Sequence, residues 1–177
     1  MCVIDRSPVI ETRRLSLRAP RAEDAPRVAA LCDDYAIPSM TSRMPWPYGL
    51  ADAEAFVRAV QAQDRSVDNT FVVELEDEGV IGAIGLSTTP GEPLELGYWI
   101  GRAYWGRGLA TEAAVGLVDW AKYEWRKRMV VAGHFADNAA SGQVLCKTGF
   151  LYTGEVKMRP SKARGEPTPC RMMVWLA

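Results

Sequence analysis

Hydrophobic positions along this chain switch between helical and alternating spacing, and each switch marks an element boundary. Arg13 to Arg18 alternates arginine, apolar and polar side chains, which predicts a short opening strand closed by Ala19-Pro20. Ala22 to Asp33 then places Ala25, Val28, Ala29 and Cys32 on one helical face, with Glu23 and Asp24 where a helix N-terminus favours acids. A second helix is predicted from Leu50 to Gln63 on the stripe Ala53, Phe56, Val57 and Val60, with Gly49 before it as a cap. Between the two, Tyr35 to Gly49 has no period and is rich in proline and aromatic residues, which predicts an irregular loop and a candidate lid. Its Tyr35, Trp46 and Tyr48 line an acceptor pocket or close the edge of the core.

The spacing turns to β in Thr70 to Leu75, Val80 to Leu86 and Leu94 to Ile100, three runs separated by hairpin-type connections. Leu109, Ala110, Ala113, Leu117, Trp120 and Ala121 return to helical spacing. Met129 to Phe135 reads as a strand, and Asn138 to Lys147 as a short helix capped by Gly149. Phe150 to Val156 and Arg171 to Leu176 read as two last strands joined by a polar, proline-bearing loop from Arg159 to Pro169. Antiparallel strands followed by a helix and a further strand predict an α+β (mixed α/β) fold, with residues 1–177 as a single domain.

Composition narrows the function more than the fold. A hydrophobic content of 48% supports a substantial core, and 21 basic against 22 acidic residues leave a net charge of -1. No field of the whole molecule recruits nucleic acid or an anionic membrane, so any anion site is local. Cys2, Cys32, Cys146 and Cys170 form no C-x-x-C pair and, with His134 as the one histidine, complete no usual zinc set. Free thiols in a reducing cytoplasm are the expectation. The opening residues lack a leader pattern, and no run approaches the roughly 18 apolar residues of a membrane span. Lys122, Arg126, Lys127 and Arg128 suit the end of the long helix, while Lys157, Arg159, Lys162 and Arg164 read as a solvated hairpin. His134 reads as a packed or hydrogen-bonded residue near its strand end.

The local anion site is legible at Gly106-Arg107-Gly108, where an apolar strand enters a helix. Glycines permit φ > 0 and close approach of a ligand to the main chain. The first N–H groups of the following helix, around Leu109, Ala110 and Thr111, lack backbone partners and favour an anion. The spacing is one residue short of a P-loop, and Thr111 stands where a dinucleotide fingerprint needs glycine or alanine. A nucleotide-binding protein that shares only this turn remains an alternative, as does a turn that serves only tight packing.

Two further segments decide between these machines. Glu95-Leu-Gly-Tyr-Trp99 precedes Tyr104-Trp-Gly-Arg-Gly-Leu-Ala-Thr-Glu-Ala113, and Asn138-Ala-Ala-Ser141 precedes Lys147-Thr-Gly-Phe150. In this order they resemble the GNAT acyl-CoA N-acyltransferases, and more narrowly the branch containing the ribosomal-protein N-terminal-alanine acetyltransferases. The resemblance runs from about Thr12 to Trp175. It implies a central, mostly antiparallel sheet of six to seven strands flanked by about four helices, with acetyl-CoA as cosubstrate and no metal. It further implies that the strand holding Trp99 and Ile100 splays from its neighbour to pair with pantetheine, and that Trp105, Gly106, Arg107, Gly108, Leu109, Ala110 and Thr111 hold the pyrophosphate. Asn138, Ser141 and Lys147 would lie along the thiol end and the far side of CoA. The family's frequent tyrosine in the helix after the asparagine is Leu145 here, and its frequent glutamine or arginine at the start of the pyrophosphate loop is Ala103.

Acetyl transfer to an amine needs a neutral amine, a stabilised oxyanion and a proton for the departing thiolate. Deprotonating a lysine amine at pH 7 costs about 4.6 kcal/mol, against about 1 kcal/mol for an α-amine of pKa near 7.8. The chain offers no histidine pair or carboxylate dyad, which favours an α-amine, such as a protein N-terminus, over a small-molecule amine of an amino acid, polyamine or antibiotic. Glu95 interrupts an apolar strand and is the candidate general base, or else an arginine's ion-pair partner. Ser141 either donates to the thioester sulfur or bonds back to its own helix. Direct attack through a ternary complex is expected; Cys146 would permit a covalent variant, and a non-catalytic acyl-CoA sensor is the alternative from another class. Antiparallel edge strands and an exposed Trp175 would allow a monomer or a homodimer.

Overall fold

In a computed structural model describing residues 7–177, β1 (Ile10–Glu11), β2 (Leu15–Arg18), β3 (Asn69–Leu75), β4 (Gly79–Ser87), β5 (Glu95–Ile100), β6 (Met129–Phe135), β7 (Leu151–Ser161) and β8 (Glu166–Leu176) form one sheet. Cys2 and the opening stretch read for a leader lie outside those residues. The order is β1-β2-β3-β4-β5-β6-β8-β7. Eight strands stand where six to seven were expected, because the two-residue β1 folds back on β2 through Ile10↔Leu17 and Glu11↔Ser16. β5 and β6 are the parallel neighbours; the other described pairs are antiparallel.

The Arg159 to Pro169 loop is corrected by the structure: β7 and β8 run on as one long hairpin through Pro160↔Pro167 to Ser161↔Glu166. Proline is tolerated here because β7 is an edge strand and the β6–β8 ladder ends at Phe135↔Cys170.

Four α-helices cover the two faces. α1 (Ala25–Cys32), reached through a 3₁₀ turn at Ala22–Asp24, packs with α2 (Leu50–Gln61) over Val72 and Val80. α3 (Leu109–Tyr123) and α4 (Ala139–Thr148) cover the other face, where Leu17, Phe71, Ile84 and Leu96 meet Leu117 and Leu145 in the main core. Alternation along β3 explains the division: Phe71 and Val73 point to α3, Val72 between them to α1 and α2. Trp175, read as exposed, is buried in the main core at 8% exposure.

Candidate functional site

β5 separates from β6 after two residues. Only Glu95↔Val131 and Leu96↔Ala132 pair, joined by the Val131 N–H to the Leu94 carbonyl at 2.9 Å, and Gly97 to Trp99 pair with no described residue of β6. The sheet therefore opens in its middle, leaving a strand edge with unpaired backbone groups. On the other side β4 holds β5 in full register from Gly82↔Ile100 to Ser87↔Glu95.

The glycine turn closes the open end. Gly106 and Gly108 both take φ of +73°, and Gly108 is the N-cap of α3. The helix's first backbone bond is Glu112 N–H to the Gly108 carbonyl, which leaves the N–H groups of Leu109, Ala110 and Thr111 without intrahelical partners. A Cβ on Gly106 would meet nothing within 4 Å, so the turn is open beside Gly106. Leu109 is buried and anchors the helix start. The Trp105 indole N–H donates to the Ile100 carbonyl at 2.6 Å, tying the turn to the end of β5.

Two arginines stand at the turn, one of which the sequence reading passed over. Arg107 lies over the Tyr104 ring and pairs loosely with Glu78 at 3.5 Å. Arg14 reaches the Arg107 carbonyl at 3.2 Å and lies 3.8 Å from where a Gly108 Cβ would be. Glu112 in the first turn of α3 holds it, accepting from the Arg14 N–H and Nε at 2.7 Å each and from the Thr12 hydroxyl at 2.7 Å. Although burial works against its charge, these bonds keep the Glu112 carboxyl below the usual range.

The two faces of β5 carry different chemistry. Leu96, Tyr98 and Ile100 turn toward α3 and α4, while Trp99 packs among α1 and α2. Asn138 caps α4, its Oδ1 accepting from the Ser141 N–H at 3.1 Å. The Ser141 hydroxyl is 2.8 Å from the Tyr98 hydroxyl, which also reaches the Ser141 carbonyl at 3.3 Å. Burial pushes the Tyr98 phenol up to about 12, with the Ser141 bond opposing, so it stays protonated at neutral pH. Leu145 is wholly buried and offers no hydroxyl. The signal for Tyr98 was its polar tip on the helix-facing side of an apolar strand.

On the opposite face Glu95 accepts a charge-assisted hydrogen bond from Arg159 on β7. Burial weakens the Arg159 charge, but the bond to Glu95 more than restores it. Arg164 binds Asp137 at 2.7 and 3.1 Å and the Ser39 carbonyl at 2.6 Å. Arg159 and Arg164 are thus engaged rather than solvated. Arg164 fastens the β7–β8 hairpin to the loop of residues 35–49, in which Tyr35 and Trp46 make an exposed edge-to-face pair at 5.5 Å. Tyr48 is buried against α1 and α2 and helps close the edge of the core.

Lys147 and Cys146 do not join Ser141. Both line a groove on the other flank of α4, with His134 and Tyr152. Cys146 is exposed rather than buried. Burial pushes the Cys32 thiol up to about 12. Among the described residues, no cluster of three or more His, Cys, Asp or Glu could hold a metal, and no helix is long and apolar enough to cross a membrane.

A parted parallel strand pair, a glycine-capped helix beside it and a hydroxyl-bearing helix opposite define an acyl-CoA transferase architecture. Residues 14–151 match the model of the acetyltransferase (GNAT) domain family. The chain belongs to the GNAT family and is an acetyl-CoA-dependent N-acetyltransferase. It is 29% identical over 151 residues to the uncharacterized N-acetyltransferase p20 of Bacillus licheniformis, covering 81% of this chain and 82% of that one. It is also 29% identical over 120 residues to the ribosomal-protein-serine acetyltransferase of Escherichia coli, covering 63% and 65%. Among solved structures, Mycobacterium smegmatis RimJ in complex with CoA-disulfide superposes with a TM-score of 0.84 at 20% identity, covering 97% of this chain and 88% of that one.

Proposed function

We propose that this acetyltransferase acts on an α-amine, of the kind a protein N-terminus presents, by direct attack within a ternary complex. The observation that carries the reading is the parting of β5 from β6 beneath the free amides of α3. Acetyl-CoA supplies an activated acyl thioester, an extended amide-bearing arm and a diphosphate, and the residues present fit each part. The turn from Trp105 to Thr111 offers the diphosphate N–H donors and the charges of Arg107 and Arg14. The backbone of Gly97 to Trp99 offers the arm a strand edge, and Asn138 caps the helix on the opposite side.

Ser141 and Tyr98 share the α4 side of β5, so the Ser141 hydroxyl donates to sulfur as the thiolate leaves, with the Tyr98 phenol bonded behind it. Glu95 is on the other face, where the amine arrives, and the gap beside Gly97 joins the two. Arg159 keeps Glu95 aimed through their hydrogen bond, and Glu95 takes a proton from the incoming ammonium directly or through water. An α-amine asks little of a carboxylate paired in this way, because its deprotonation at pH 7 costs only about 1 kcal/mol. Cys146, on the far flank of α4, supports direct attack over an acyl-enzyme.

Two measurements test this. Calorimetry with CoA should give a stoichiometric site that Gly108→Ala weakens. Free-thiol release from acetyl-CoA should then be driven by peptides with a free N-terminus and not by the same peptides blocked there. Saturable CoA binding with turnover only on lysine side chains or polyamines would overturn the acceptor assignment, and absence of CoA binding would overturn the site.

A further inference from the structure

The flank of α4 turned away from Ser141 forms one wall of a groove of about 520 Å³, to which β6 contributes His134, β7 Tyr152 and β8 Arg171. Gln143, Cys146 and Lys147 complete its polar lining. None of the turn residues 105–111 reaches it, nor do Tyr98 and Ser141.

The lining carries positive charge and no acidic side chain. Arg14, Arg18, Arg159 and Arg164 each engage a carboxylate. Among the described residues no carboxylate pairs with Lys147 or Arg171, and none of those lining the groove is acidic. Two uncompensated cations facing one concavity raise the local potential for an anion.

The floor is built with care. His134 Nδ1 lies 2.9 Å from the Phe135 carbonyl oxygen, which only accepts, so the neutral ring carries its proton there and Nε2 accepts from the Tyr152 hydroxyl at 2.9 Å. Gly142 of α4 rests directly on this pair: a Cβ there would stand 2.7 Å from Tyr152 Oη and 2.9 Å from His134 Nε2. Glycine is a poorer helix former than alanine, so the close seat on His134 and Tyr152 is held against helix propensity.

We infer that this groove binds a small organic anion, a carboxylate or phosphate ester seated between Arg171 and Lys147, at a site distinct from the acetyl-CoA cleft. Its volume falls in the range of small-molecule pockets and exceeds what a bare oxyanion fills, so the charged group comes attached to an organic body. Ala136 and Ala139 give that body an apolar surface.

His134 is the one histidine of the chain, so its imidazole proton signals report the groove floor without ambiguity. The full chain is titrated with phenyl phosphate, and separately with citrate, at ionic strength held constant by sodium chloride. The expected result is a saturable shift of the His134 signals with at least one probe, retained when CoA is saturating and weakened at least tenfold by Arg171→Gln. A linear drift, a response equalled by sodium chloride, or an unchanged affinity in Arg171→Gln overturns the inference. Loss of the shift under saturating CoA also overturns it, because the probe then reports the cofactor cleft. Should Arg171→Gln fail to fold, Lys147→Gln carries the same comparison.

Discussion

The Tyr98 and Ser141 hydroxyls meet at 2.8 Å across the gap between β5 and the first turn of α4. Ser141 is thereby oriented by two fixed partners, its N–H by Asn138 Oδ1 and its hydroxyl by a phenol that stays protonated. Tyr98→Phe removes the donor behind Ser141 without changing the ring's packing. Its kcat is expected to fall about 10-fold with KM for acetyl-CoA nearly unchanged, and Ser141→Ala to fall by about 10²-fold. The double variant should be no slower than Ser141→Ala alone, because both changes remove one chain of hydrogen bonds. Steady-state kinetics on the three variants checks this, and additive losses would mean that the hydroxyls act separately.

Glu95 and Arg159 test the base. Glu95→Gln keeps the shape of the side chain, and kcat/KM for a peptide with a free N-terminus is expected to drop by about 10²–10⁴-fold. Arg159→Gln leaves the carboxylate in place and should cost about 10-fold. Because Glu95→Gln deprives a half-buried arginine of its counter-ion, melting temperatures are measured alongside. A Glu95→Gln enzyme that is folded and within threefold of the parent would reduce the pair to an ion bridge between β5 and β7.

How much of this was legible follows from which interactions are local. The glycine turn, the Gly149 cap and the β5 alternation each depend on residues a few positions apart, and the sequence read them correctly. Arg159 beside Glu95 joins positions 64 residues apart, and Arg14 on Glu112 joins positions 98 apart. No periodicity carries such pairs, so Arg159 looked solvated and Arg14 was passed over. The run of β7 and β8 from Arg159 to Pro169 was read as a loop because proline signals one, and only the position of β7 at the sheet edge makes Pro160 harmless. Lys147 and Cys146 are separated from Ser141 for a simpler reason: at 100° per residue they lie on a different flank of α4, which the spacing alone could have revealed.

Gly97 and Gly108 should respond in opposite ways to the same substitution. Gly108 sits at φ +73° with nothing closer than Arg14 at 3.8 Å, so Gly108→Ala pays for backbone conformation alone, about 1–2 kcal/mol. Gly97 has no positive φ and an open side, so Gly97→Ala should leave stability unchanged or slightly higher. Yet Gly97 lies in the parted segment, and a larger Gly97→Val side chain there should raise KM at least 10-fold. Urea unfolding and kinetics on the same preparations separate the two effects.

Acid should expose the clasp between Glu112 and Arg14. Glu112 titrates below its ordinary value of 4.5 in the folded chain, so the unfolded chain takes up its proton first as pH falls. The clasp's contribution is complete above about pH 4.5 and is lost as pH drops through the lowered folded value. Glu112→Gln is therefore expected to cost about 1–3 kcal/mol at pH 7, with the difference from the parent shrinking steadily as pH falls below 4.5. Asp24, likewise held below 3.8 by Arg18 against its own burial, keeps some acid sensitivity in the variant. Urea unfolding at pH 7, 5, 4 and 3 reads the difference. A gap that stays constant with pH would assign it to packing of the Glu112 side chain instead of its charge. In that case Arg14 would keep its place over the turn in Glu112→Gln, and CoA affinity at pH 7 would be unchanged rather than weakened.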